Sequence, residues 1–204
     1  MVKKQKDVNA ESKILIAAKK VFHEKGMAGA RMQDIADEAG INKALLHYYF
    51  RSKEKLFEVI FKEAFAKFWP EIFSLLNSDE DLFTKIKLFV DHYIAIIAEN
   101  EYLPLFVLNE MNKQPASFIN KLLGGQIPDF SKLIIQIEKE KKKGVINSIN
   151  PIHLIVNMMS MCIFPFVSKP MIQKVMNLDE LQFRYLIEQR KKTVSEFIIN
   201  AIKK

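Results

Sequence analysis

Along almost the whole chain apolar residues return every three or four positions, and no stretch alternates strictly between apolar and polar. The pattern predicts an all-α protein. A first helix is expected from about Val8 to Lys25, with Ile14, Leu15, Ala18, Val21 and Phe22 on one face and Gly26 as its stop. Short helices follow over Met32–Ala39, closed by Gly40, and over Lys43–Tyr49, opened by Asn42 as N-cap. Ser52 caps a fourth, whose apolar face runs through Leu56, Val59, Ile60 and Ala64 and which Pro70 is expected to kink or end. Further helices are expected from Asp79 or Asp81 to about Glu99, around Tyr102–Asn112 and around Pro115–Leu123, before a break at Gly124-Gly125. Three more run from Pro128 to Lys143, from Asn150 to Val167 and from about Asp179 onward. The Asn150-Pro151 pair is an N-cap followed by proline at the first helical position, where a missing N–H costs nothing.

At 204 residues the chain fits one large domain or two unequal ones. Lys and Arg number 31 against 24 Asp and Glu, and the excess is uneven. Residues 1 to 57 hold 12 basic and 7 acidic side chains, and the remainder 19 and 17. The positive field is thus concentrated on the first quarter, the footprint of a small module facing a polyanion. This change in character, near residues 52 to 58, sets an N-terminal domain of residues 1–55 and a helical domain of residues 56–204.

Enzyme chemistry finds no support in the sequence. There is no glycine-rich phosphate loop, nucleophile elbow or histidine–glutamate zinc pattern. A single cysteine, Cys162, excludes an intrachain disulfide framework, and His23, His47, His92 and His153 lie too far apart for metal spacing. No catalytic residue, cofactor or metal is therefore expected. The longest apolar stretch, Ile152 to Val167, contains His153, Asn157, Ser160 and Pro165 and falls short of the roughly 18 to 20 apolar residues of a membrane span. With a basic N-terminal segment that runs into no apolar core, the expectation is a cytoplasmic chain without a membrane partner.

The stretch from Gln33 to Phe50 has the layout of a helix-turn-helix. Ile35 and Leu46 can pack across two helices, Ala36 lets the backbones approach, Gly40 supplies the turn, Ile41 buries against the pair and Asn42 starts the second helix. The outward side is left to Lys43, Ala44, Leu45, His47 and Tyr48, and a recognition helix places its N-terminal residues against base edges. With Ile35-Ala36, Ala39-Gly40-Ile41, Leu46, Tyr49-Phe50, Ser52-Lys53-Glu54 and Leu56 at their spacings, residues 8 to 68 resemble the TetR family of transcriptional regulators.

The resemblance implies an N-terminal three-helix DNA-binding domain followed by a larger helical domain for effector binding and dimerisation. It places Gln33, Lys43, Ala44 and Leu45 at base-reading positions, His47 where tyrosine is common, and Tyr49 and Lys53 at phosphate-contacting positions; Arg31, Asn42 and Tyr48 complete the candidate surface. Glutamine suits adenine, lysine guanine, and Ala44 or Leu45 a thymine methyl. Three departures bear on the operator: Ala30-Arg31 stands where threonine or serine is usual, Ala44 where glycine is frequent, and Leu45 where threonine is frequent. Tyr48 and Tyr49 have an alternative as packing residues, and Asp34, Asp37 and Glu38 are expected to form a solvated face.

For the second domain the resemblance implies a homodimer through helices near 150–167 and 179–203, a palindromic double-stranded DNA operator, and an apolar small-molecule effector. The candidate ligand residues are Trp69, His92, Tyr93, Phe106, Met111, Met158 and Met161, chosen because methionines and aromatics adapt to varied apolar ligands. Plain core packing is the alternative for this set. A regulator without a ligand, or one gated by another protein, is the alternative for the whole.

Overall fold

The computed structural model describes residues 2–113 and 129–204, so the expected helix over Pro115–Leu123, the Gly124-Gly125 break and Pro128 lie outside the described residues. Among the described residues there are ten helices and a lone antiparallel bridge between Ile146 and Lys203. They fall into two compact units, Met1–Lys67 and Phe68–Lys204, dividing later in the chain than residues 52 to 58.

The first unit holds α1 (Val2–Gly29), α2 (Met32–Ala39), α3 (Lys43–Tyr49) and the start of α4 (Lys53–Leu76). α1 is interrupted at Gly26, whose φ of 64° and ψ of 170° lie outside the helical region, so one further turn follows the stop expected there. Its core is Ile14, Ala18, Val21 and Phe22 of α1 together with Ile35, Ala36, Leu46, Phe50, Leu56, Phe57 and Ile60, all buried. Phe22 meets Phe57 edge-on with ring centroids 5.0 Å apart. Each of the larger of these side chains contributes roughly 1.5–3 kcal/mol on burial, which is what holds short, weakly cooperative helices such as α2 and α3 in place.

The second unit holds the rest of α4 with α5 (Leu82–Glu99), α6 (Leu103–Lys113), α7 (Ser131–Lys142), α8 (Pro151–Val167), α9 (Lys169–Met176) and α10 (Glu180–Ile202). One face of α5, from Leu82 through Ile86, Phe89, Val90 and Tyr93 to Ile97, packs in a single cluster with Phe183, Ile187, Val194, Ile198 and Ile202 of α10 and Leu154, Met158, Cys162 and Phe166 of α8. Caps fall where polar residues precede the apolar runs. Asp81 accepts from the N–H groups of Phe83 and Thr84, Asn150 from Ile152, and Asp179 from Gln182.

Two expectations are corrected. Of the kink or end expected at Pro70, the end does not occur: α4 continues through the proline to Leu76. Proline removes one helical donor, and full burial of Ile72 and Leu76 beyond it outweighs that loss. The helix α9 is not among the expected elements: Met171, Ile172, Val175 and Met176 share one side of it, but the run is only two turns long and none of its residues is buried.

Three polar groups inside the second unit are each matched by chemistry. Lys85, 1% exposed, donates to the Leu76 carbonyl at 3.0 Å and to Gln136 Oε1 at 2.8 Å, closing the end of α4. Lys169 pairs with Glu101 at 2.6 Å and Glu180 at 2.8 Å and lies 5.0 Å from the centre of the Phe183 ring. In α8, Pro165 has no N–H to give to the carbonyl four residues earlier, that of Met161, and Arg190 Nη2 of α10 donates to that oxygen at 2.6 Å.

Candidate nucleic-acid interface

The turn between α2 and α3 is set by its backbone. Gly40 takes φ 65° and ψ 35°, its N–H donates to the Asp37 carbonyl at 3.1 Å, and the Ile41 N–H donates to the Ala36 carbonyl at 3.0 Å. This crossed pair terminates α2 with a residue that tolerates the left-handed region, and Ile41 folds half-buried beside it. Asn42 Oδ1 then accepts from the Leu45 N–H at 2.7 Å and starts α3. That cap fixes the phase of α3: Leu46 points into the core with no exposed area, while Lys43, Ala44, Leu45, His47 and Tyr48 are exposed.

Tyr48 is 79% exposed, and Tyr49 is half-buried with its ring edge-on to Tyr48 at 5.4 Å. His47 Nδ1 lies 3.3 Å from the Arg51 carbonyl, which can only accept, so Nδ1 carries the proton and Nε2 is left for another partner. Lys53 Nζ turns back to the carbonyls of Ala30 at 3.0 Å and Ala28 at 3.5 Å, closing the chain end that follows Gly26.

The missing hydroxyl cap of α2 is supplied from inside the helix. Asp34 Oδ2 accepts from the Arg31 N–H at 3.0 Å and Oδ1 pairs with Lys25 at 3.1 Å, while Arg31 itself offers no acceptor. The Lys25 ammonium, and then the Arg31 N–H, hold the Asp34 carboxyl below the usual carboxylate range. Glu38 pairs with Lys20 at 2.7 Å, and Asp37 accepts from Gln33 Nε2 at 2.8 Å. The three acids of α2 are thus each engaged; Asp37 and Glu38 are exposed, as a solvated face requires, and Asp34 is half-buried. Among the described residues Arg31, Lys43 and Arg51 carry no ion pair, and all three are exposed.

In the second unit an apolar cavity of about 10 Å³ is lined by Trp69, Ile72, Leu76, Phe89, Tyr93, Phe130, Leu133, Ile155, Met158 and Met159. A space of that size is about that of one water molecule. Of the candidate ligand residues it brings together Trp69, Tyr93 and Met158; His92, Phe106, Met111 and Met161 do not line it. Burial raises the Tyr93 hydroxyl well above its ordinary range. His92 is half-buried, and its Nδ1 has no hydrogen-bond partner among the described residues. Among those residues no three His, Cys, Asp or Glu side chains are grouped to hold a metal ion. No single helix among them is long and apolar enough to cross a membrane.

Residues 14–60 match the family model of the bacterial regulatory proteins of the tetR family. The chain is 39% identical over 67 residues to the HTH-type transcriptional repressor NicS of Pseudomonas putida, a match covering 33% of this chain and 32% of that protein. It is 30% identical over 122 residues to the biofilm operon icaADBC negative transcriptional regulator IcaR of Staphylococcus aureus, covering 60% of this chain and 63% of that one. These matches therefore span about a third and under two thirds of the length of those relatives. A crystal structure of a mutant of HlyIIR is similar in fold, with 25% identity, a TM-score of 0.57, and coverage of 95% of this chain and 97% of that chain. Residues 14–60 thus carry the sequence pattern of the tetR family of bacterial regulatory proteins, and the chain as a whole is similar in fold to HlyIIR.

Proposed function

We propose that this protein binds a palindromic operator as a homodimer and represses transcription from it. The observation that carries the reading is the outer side of α3, where Lys43, Ala44, Leu45, His47 and Tyr48 stand exposed behind a capped and buried frame. In this reading Gln33, Lys43, Ala44 and Leu45 meet base edges, and Arg31, His47, Tyr49 and Lys53 meet phosphates, with Asn42 holding the recognition helix and Tyr48 flanking it. The names of NicS as a repressor and IcaR as a negative regulator support the direction of the output.

The homodimer is supported by two exposed, mainly apolar sides, one on α8 at four-residue spacing and a sparser one on α10. On α8 the residues are Ile152, Val156, Ser160 and Phe164, and on α10 Leu181, Tyr185 and Phe197. Apolar rows of this kind on neighbouring helices are surfaces a second copy would cover, and they are separate from the core-facing Val194, Ile198 and Ile202. A two-fold dimer sets its reading heads about 34 Å apart or a multiple of that, which is the geometry of a palindrome.

Release by an apolar effector is the proposed control, acting as a population shift between dimer conformations in which the helix leading from the first unit changes the separation of the reading heads. A hundredfold loss of occupancy needs only about 2.7 kcal/mol of differential affinity. The cavity beside Trp69, Tyr93 and Met158 is entirely apolar in lining and about the size of one water, so such a ligand would have to part the side chains that fill it. The small size of this one cavity among the described residues favours a second reading, in which no small ligand acts and DNA binding is constitutive or gated by another protein.

The test is selection of bound sequences from a random DNA pool by the purified protein. An enriched palindrome is the expected result; a folded, dimeric protein that enriches nothing, with or without added apolar compounds, would overturn the operator-binding reading.

A further inference from the structure

Resting on the reading of Gln33 as a base contact, we infer that Asp37 is a positioning residue for base readout: it fixes the orientation of the Gln33 amide and so decides which base pair that position accepts. Three acids lie on α2, and the structure treats them differently. Asp34 and Glu38 are each neutralised by a lysine of α1, Lys25 at 3.1 Å and Lys20 at 2.7 Å. Asp37 is exposed and, among the described residues, has no cation; its carboxylate accepts one hydrogen bond, from Gln33 Nε2 at 2.8 Å. An unneutralised carboxylate beside a DNA-facing surface repels phosphates, so on charge alone it weakens every complex. Its compensation is directional. A carboxylate only accepts, so the group of Gln33 turned towards it must be the amide nitrogen.

The consequence for readout follows from counting donors. A glutamine amide has two N–H donors and one carbonyl oxygen. With one N–H held by Asp37, the outward edge is left with one donor and one acceptor in fixed order. That pair matches the N7 acceptor and the N6 donor of adenine in the major groove. A freely rotating amide could instead present both donors to the N7 and O6 acceptors of guanine. Asp37 thereby narrows the choice to adenine. Residues four apart share a helix face, which is why a side chain in the second turn of α2 can set one in the first.

The experiment separates charge from orientation. The intact protein is titrated by fluorescence anisotropy against an operator obtained by selection and against variants carrying each other base pair at one half-site position at a time. Gln33→Ala first identifies the base pair that Gln33 reads. Asp37→Ala removes charge and acceptor together; it is expected to bind all sequences a few-fold more tightly while the adenine preference at that base pair falls by about tenfold. Asp37→Asn removes the charge but keeps a carbonyl acceptor, and is expected to show the same general gain with the preference retained. Circular dichroism confirms that both exposed substitutions leave the helices in place. If Asp37→Ala keeps the wild-type preference at the pair that Gln33→Ala alters, the inference is overturned and the operator-binding reading stands. If Gln33→Ala alters no preference, the assignment of Gln33 itself fails and the inference with it.

Discussion

The ammonium of Lys53 lies against the carbonyls of Ala30 and Ala28, so a substitution there acts on folding as well as on DNA. Lys53→Ala is expected to lower stability by about 1 kcal/mol through the lost bonds and to reduce the slope of log affinity against log salt by about one. Thermal melts and binding at several salt concentrations read the two effects separately, and an unchanged salt slope removes Lys53 from the phosphate contacts. Asp34 carries a pH signature. Its folded carboxyl titrates below the unfolded one because of Lys25 and the Arg31 N–H, so its contribution is present above about pH 4 and is lost as pH falls through the folded value. Asp34→Asn should therefore shrink the fall in melting temperature between pH 7 and pH 3.5; a fall as large as wild type would mean that other carboxylates dominate acid unfolding. Of these residues, the outward set of α3 was legible because the Asn42 cap and the buried Leu46 fix the phase of one short helix. The engagement of Asp34 and Glu38 was not, since Lys25 and Lys20 reach them from another helix and no local spacing announces a contact across space.

At the scale of the element, Pro165 and Arg190 form a matched pair. Without the arginine, the Met161 carbonyl would sit in α8 with neither a helical donor nor a replacement. Arg190→Met is expected to cost about 1–3 kcal/mol, the usual cost of an orphaned buried acceptor. Pro165→Ala restores the N–H, so in that background the cost of Arg190→Met should fall substantially. Urea denaturation of the four proteins of this cycle gives the coupling directly, and strictly additive losses would show that the arginine serves something other than that carbonyl. The sequence located both internal prolines, Pro70 and Pro165, but not why the helices run through them. For Pro70 the reason is the burial of Ile72 and Leu76 beyond it, and for Pro165 a side chain 25 positions later in the chain. α9 was not legible for a different reason. Met171, Ile172, Val175 and Met176 do recur at helical spacing, but over two turns such a run is too short to be told from the end of α8, from which only Ser168 separates it.

For the molecule as a whole, helical class, the helix-turn-helix and most helix limits followed from periodicity and caps, while the interior of the second unit did not. Large apolar residues look alike in sequence whether they line a cavity or fill a core, and only packing separates Trp69, Tyr93 and Met158 from Phe106 and Met161. The proposed dimer has its own check. Joint replacement of Phe164 and Tyr185 by glutamate places charges in both exposed stripes, and should yield folded monomers in sedimentation with half-site binding only. A dimer that survives the double replacement would locate the interface elsewhere.

Cys162 is the only cysteine, has no exposed area, and its thiol is pushed up to about 12 by burial. A thiol so placed cannot meet a soluble disulfide reagent until its surroundings part, because the thiolate is the reacting species. The chain therefore carries its own clock. The rate at which Cys162 is labelled measures how often the second unit opens around α8, without any introduced probe, and any compound or partner that steadies that unit should make the clock run slow.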